Sequence, residues 1–113
     1  MKLPEEGQLV RIFIGEDDTI HGKPLYEVIV LKARELNMAG ATVLRGIMGF
    51  GANSRLHTTK ILRLSEDLPI VIEIVDSIEK INQILPFLEE SVTEGMITLE
   101  KIKVLKYRHS QEL

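Results

Sequence analysis

Residues 40–55 read Gly40-Ala-Thr-Val-Leu-Arg-Gly-Ile-Met-Gly-Phe-Gly-Ala-Asn-Ser-Arg55, a strand that passes into a loop. Ala41 to Leu44 has the β-branched and apolar character of a half-buried strand, while Gly46, Gly49 and Gly51 admit positive φ and close backbone approach. Successive N–H groups in such a loop can form an anion-binding concavity, and Arg45 and Arg55 flank it with positive charge. Most glycine-rich strand exits are plain turns, so the meaning of this loop depends on its surroundings.

Downstream, Thr58, Lys60, Leu62 and Leu64 alternate against Thr59, Ile61 and Arg63, which predicts a further strand paired antiparallel with the first. Ser65 to Pro69 reads as a turn. Ile70-Val-Ile-Glu-Ile-Val75 is nearly continuous β-branched sequence and predicts a central strand buried on both faces. Asp76 with Glu79 resembles a capping box, opening an amphipathic helix marked by Ile78, Ile81, Leu85, Leu88 and Val92. Pro86 should kink or divide that helix. In the tail the apolar positions shift from odd (Ile97, Leu99) to even (Ile102, Val104), which predicts a bulge or bend near Glu100.

Upstream, Val10, Ile12 and Ile14 alternate with Leu9, Arg11 and Phe13 in a strand ended by Gly15. Glu16 to Lys23 reads as a polar connector, with Pro24 in the first turn of a helix. Leu25, Val28, Ile29, Ala33 and Leu36 carry its apolar stripe, and it should end near Asn37 to Gly40. The order β-α-β-β-α-β, with an additional short C-terminal strand, predicts an α+β ferredoxin-like sandwich forming one domain over residues 1–113. Two helices would cover one face of the sheet. The other face carries too many apolar residues for exposure to water, so an oligomer is expected.

Composition narrows the function. Of 113 residues, 44% are hydrophobic and 27% charged, as in an ordinary globular protein. A net charge of −3, from 14 basic and 17 acidic residues, offers no field to hold a nucleic-acid backbone, and three Phe, two Tyr and no Trp leave few platforms for bases. No cysteine is present, which removes disulfides, thiolate nucleophiles and zinc-thiolate sites. No apolar run approaches the ~20 residues that span a bilayer, and Met1-Lys-Leu-Pro-Glu-Glu6 lacks the pattern of a signal peptide, so a cytoplasmic protein is expected.

His21, His57 and His109 lack the spacing of a metal site, and no metal is predicted. His57, on the loop, is the best placed of them for a phosphate contact. Asp17 and Asp18 read as a solvated run. No nucleophile beside a base, and no paired carboxylates, can be picked out. A small acylphosphatase-like phosphohydrolase is the alternative that the fold class allows, with Arg45 and Asn53 as its available residues. The arginine-bearing loop after the first strand that such enzymes use is missing.

Three separated motifs carry a resemblance. His21-Gly-Lys-Pro-Leu-Tyr-Glu27, Gly40-Ala-Thr-Val-Leu-Arg-Gly-Ile-Met-Gly-Phe-Gly51 and Leu64-Ser-Glu-Asp-Leu-Pro69 resemble the signatures of an uncharacterised PII-like bacterial and archaeal family. More broadly, Gly40-Ala-Thr-Val43, Gly49-Phe-Gly51, Leu68-Pro69 and Ile72-Glu-Ile-Val75 resemble stretches of the PII signalling proteins. The resemblance implies a homotrimer with sheets facing inward, and an adenine nucleotide bound in clefts between subunits. It implies further that the loop after the second strand reports the ligand to a regulated partner. Gly49, Phe50 and Gly51 match the PII motif at the base of that loop, Thr42 matches a position near the base pocket, and Val75 falls near another. The PII phosphate loop Gly-Asp-Gly-Lys is replaced by Thr93-Glu-Gly95-Met96, without lysine, so Gly95 and Met96 take its place and ADP or AMP is favoured over ATP. For the two arginines of the last PII strand, Lys103, Lys106 or Arg108 is left as substitute. Asn53 stands where PII proteins use Gln with 2-oxoglutarate, and the long Tyr-bearing loop is absent, so neither 2-oxoglutarate sensing nor uridylylation is implied. Relatives resembling this chain are linked with fluoride-channel-type proteins. A membrane transporter or channel is therefore a conceivable partner, and a ligand-free scaffold for one a further alternative.

Overall fold

A computed structural model describes residues 6–51 and 67–108. The expected strand 58–64, together with Asn53, Arg55, His57 and His109, lies outside the described residues.

The first strand, β1 (Glu6–Gly15), is longer than its alternating core and buries Val10, Ile12 and Ile14. The connector after it is not plain coil. It forms a tiny hairpin, β2 (Thr19–Ile20) with β3 (Lys23–Pro24), turned by His21 at φ 51° and Gly22 at φ 78°. Two consecutive positive φ values match the right-handed twist of a tight hairpin, and glycine takes the second of them without penalty. Helix α1 (Leu25–Glu35) follows at once, with Pro24 as its N-cap rather than inside its first turn. At its C-terminus Asn37, at φ 58°, reverses the chain in place of a glycine. Asn37 N–H donates to the Arg34 carbonyl and Met38 N–H to that of Ala33, both at 3.0 Å, so two orphan carbonyls are satisfied in a Schellman arrangement.

Strand β4 (Ala41–Arg45) leads to the glycine-bearing loop, and β5 (Pro69–Asp76) leads to helix α2 (Ile78–Ser91). The cap of α2 is Ser77, not Asp76: its Oγ accepts from Lys80 N–H at 3.2 Å. The strand simply runs one residue further than expected, so Asp76 stays in β5 and is buried. Pro86 does not divide α2. Proline withdraws the bond to the carbonyl four residues earlier, and both Pro86 and Asn82 lie on the exposed side, where water can satisfy it.

The last strand, β6 (Met96–Lys103), pairs with β1 from Glu6–Lys103 to Phe13–Met96 without a slip. The expected bulge near Glu100 is absent, and among the described residues no further strand follows β6. In this register Ile97 and Leu99 point to the helices, and Ile102 to the opposite face. The change of apolar phase is thus a change of face along an edge strand.

The four-stranded sheet has the order β4-β5-β1-β6, all antiparallel, which is the ferredoxin-like arrangement. Both helices cover one face. Val10, Ile12 and Ile14 of β1 and Ile70, Ile72 and Ile74 of β5 meet Leu25, Ile29 and Ala33 of α1 and Ile81, Ile84 and Leu88 of α2 in a single core. On the open face Val71, Glu73 and Val75 are half-buried, so within one chain β5 is fully buried on one face only.

Candidate functional site

The pairing fixes what the open face carries. Leu44, Val71, Phe13 and Met96 stand opposite one another across all four strands, an apolar row in which Phe13 is 37% and Met96 59% exposed. The next row is Thr42, Glu73, Arg11 and Thr98. Arg11 Nε donates to Glu73 Oε2 at 2.9 Å, and its Nη1 pairs with Glu100, so one guanidinium bridges two carboxylates at the centre of the sheet. The hydrogen bond to Glu73, more than the nearby charge of Glu100, raises the Arg11 pKa against some desolvation. Val75 is opposite Leu9, in the row beyond.

The glycine-bearing loop begins where β4 ends. Gly46 N–H donates to the Pro69 carbonyl at 2.7 Å, and a Cβ at Gly46 would stand 2.8 Å from Pro69 Cγ. A Cβ at Gly49 would be 3.1 Å from the same atom, so the backbone can lie against the proline ring only because side chains are missing. Ile47, Met48 and Phe50 project outward, Phe50 being 72% exposed. Arg45, at the loop's base, is tied to Glu16 at 2.7 Å. At the other margin of the sheet, Gly95 precedes β6 at φ 141°, and a Cβ there would collide with the Phe13 carbonyl oxygen.

The candidate residues therefore fall into two groups. Thr42, Gly49, Phe50 and Gly51 belong to the β4 margin, with Val75 one strand in; Gly95 and Met96 belong to the β6 margin. Three strand spacings, about 14 Å, separate the margins. One chain alone does not bring the two groups together.

Arg108 lies on the same side of the sheet as β4 but at the strand's start, the end opposite the glycine-bearing loop. After Lys103 the chain crosses the end of the sheet, with Val104 Cγ2 3.8 Å from where a Gly7 Cβ would be, and Tyr107 Oη donates to the Ala39 carbonyl at 2.8 Å. Arg108, exposed, thus follows a residue anchored just before β4. Ala39 N–H in turn donates to Asp76 Oδ2, and Ser77 N–H to Asp76 Oδ1, each at 2.7 Å. Tyr107 and Asp76 play no part in the sequence reading of the site, because a hydroxyl-to-carbonyl contact 68 residues apart leaves no local pattern.

A shallow recess of about 80 Å³, lined by Asp18, Thr19, Leu25, Ser91, Thr93 and Glu94, contains none of these candidates. Among the described residues, no three of His, Cys, Asp and Glu gather as a metal site, and no helix is long and apolar enough to cross a membrane.

The fold is the one found in solved PII-like structures. Solved structures with this architecture include a PII-like signalling protein from Thermus thermophilus, with a TM-score of 0.63 and 21% identity over 88% of this chain and 89% of that one. CPII from Thiomonas intermedia K12, bound to ADP and bicarbonate, superposes with a TM-score of 0.64 and 17% identity over 95% and 98% of the two chains. The same protein bound to ADP, AMP and acetate gives 0.65 and 15%, over 94% of each.

The chain belongs to the DUF190 family, described as an uncharacterized ACR, whose pattern matches residues 7–104. A UPF0166 protein of Aquifex aeolicus is 41% identical over 100 residues, covering 87% of this chain and 92% of the relative. One from Methanocaldococcus jannaschii is 34% identical over 102 residues, covering 89% and 94%.

Proposed function

We propose that the protein is a non-catalytic PII-like regulator that assembles as a homotrimer in the cytoplasm. It binds ADP or AMP in preference to ATP, at clefts between neighbouring chains. One observation carries this reading: Gly49–Gly51 and Gly95–Met96 lie at opposite margins of one sheet, so a site containing both needs a second copy to supply one half. The apolar row Leu44–Val71–Phe13–Met96 gives that copy a surface to bury. The adenine nucleotides held by CPII, a protein of the same fold, suggest the ligand.

In this reading Thr42, Phe50 and Val75 border the base, and the backbone of Gly49 and Gly51 lines the nucleotide. Gly95 and Met96 of the next chain close the cleft. Occupancy shifts the loop after β4 between two states that differ in their contacts with the ligand, and the loop reports this to a partner, for which a membrane transporter or channel is one candidate.

Calorimetric titration with AMP, ADP and ATP tests the ligand. Heat with ADP or AMP at lower concentration than with ATP supports the reading, and no heat with any of the three removes it. Gly49→Val crowds Pro69 and should weaken binding at least tenfold while the assembly stays intact; unchanged affinity moves the site elsewhere. Turnover of an acyl phosphate would transfer the protein to the hydrolases.

A further inference from the structure

Among the described residues the charged side chains of the open face are Arg11 on β1, Glu73 on β5 and Glu100 on β6. Arg11 bonds to both carboxylates, so two negative charges share one positive and one negative charge is left over. It is most accessible at Glu100, whose side chain is 54% exposed against 32% for Glu73, and which stands on an edge strand. Lys101 and Lys103 do not offset it, because pairing with Gln8 and Glu6 turns them to the helix side of the sheet. Cations are available on the tail. Past β6 the chain crosses the end of the sheet, with Val104 beside Gly7, and Tyr107 Oη donates to the Ala39 carbonyl at 2.8 Å. Lys106 and Arg108, on either side of that tyrosine, are exposed, and neither has an ion-pair partner among the described residues.

The heights match. Ala39 N–H donates to the Asp76 carboxylate, Asp76 pairs with Gln8, and Gln8 with Lys101, so the anchored tail stands within about one residue of the height of Glu100, at the opposite margin of the sheet. Three strand spacings, about 14 Å, keep the end of the tail from Glu100 of its own chain. We propose that Lys106 and Arg108 of one chain pair with Glu100 of the next, at the end of the sheet away from the glycine-bearing loop. This rests on the trimer reading above, in which the β4 margin of one chain meets the β6 margin of its neighbour. Rotation about a single axis brings like heights together, so the loop faces Gly95–Met96 at one end of the junction and the tail faces Glu100 at the other. The ionic lock meets the one charge that the face leaves over, takes no part in holding nucleotide, and makes the interface specific for a second copy of this chain.

The test follows the monomer–trimer equilibrium on dilution by sedimentation velocity, at about 0.05 M and about 0.5 M salt. Glu100→Gln leaves Arg11 and Glu73 as a neutral pair. If nothing meets the spare charge, this change relieves repulsion between copies and tightens assembly. The lock predicts the reverse, a dissociation midpoint raised about threefold or more, as three partly exposed ion pairs lost together would give. Lys106→Gln combined with Arg108→Gln should raise the midpoint comparably, and the triple variant no further than either, because all remove the same contact. High salt should weaken the parent more than Glu100→Gln. Tighter or unchanged assembly of Glu100→Gln, losses that add, or a parent no more salt-sensitive than Glu100→Gln each overturn the proposal while the trimer stands. A parent that is monomeric at every concentration removes the trimer and the lock with it.

Discussion

Asp76 shows how much one carboxylate can organise. Buried in β5, it accepts from Ala39 N–H and Ser77 N–H, joining the link after α1 to the start of α2. Replacing it with alanine strands two backbone donors away from water, at about 1–3 kcal/mol each. Asp76→Ala should therefore lower the melting temperature by about 10 °C or more, read by calorimetry or circular dichroism. A loss under about 3 °C would mean that water replaces the carboxylate. The sequence marks this aspartate as special and assigns it the wrong task. Asp76 and Ser77 are both good caps, and the choice falls to Ser77 because β5 keeps pairing through Asp76 with Gln8 of β1.

At the scale of elements, hydrophobic periodicity locates both helices and the long strands, since each has a face turned to one core. It fails where an edge strand has different neighbours on its two faces. In β6 the odd residues Ile97 and Leu99 face the helices and Ile102 the open side, an alternation that looks like a slip when only the letters are visible. The small β2–β3 hairpin is invisible to periodicity because two-residue strands leave no period. The effect of Pro86 is smaller than its type suggests, because the cost of a lost helix bond depends on whether its carbonyl reaches water. Some of that cost remains: Pro86→Ala restores the N–H on an exposed turn and should stabilise the protein by about 1 kcal/mol or more, seen as a higher urea midpoint at unchanged slope. A lower midpoint would show that the ring's own packing outweighs the missing bond.

For the whole molecule, the decisive property is that the open face is apolar at one end and ionic in the middle. Leu44, Val71, Phe13 and Met96 ask for a partner surface, while Glu73, Arg11 and Glu100 already satisfy one another within the chain. Burying the first set is favourable, while the second keeps one net negative charge that a covering surface has to meet. Phe13→Glu should convert the proposed trimer to monomers at micromolar concentration, measured by light scattering, with the helical signal retained because Phe13 lies outside the core. A trimer that survives places the interface elsewhere. The sequence could suggest that such a face needed a cover. It could not reveal which residues meet across it, because that depends on register, nor gather the candidate site, because its parts lie at opposite margins of the sheet.

The two-margin layout has one more implication. In the proposed ring of three, every chain would lend its glycine loop to one seat and its Gly95–Met96 corner to another, so no seat would belong to a single owner. Filling the first would change both chains that border it, and each of these would form half of a seat still empty. Successive ligands would then meet differently prepared proteins, and the ring would count its guests as well as detect them.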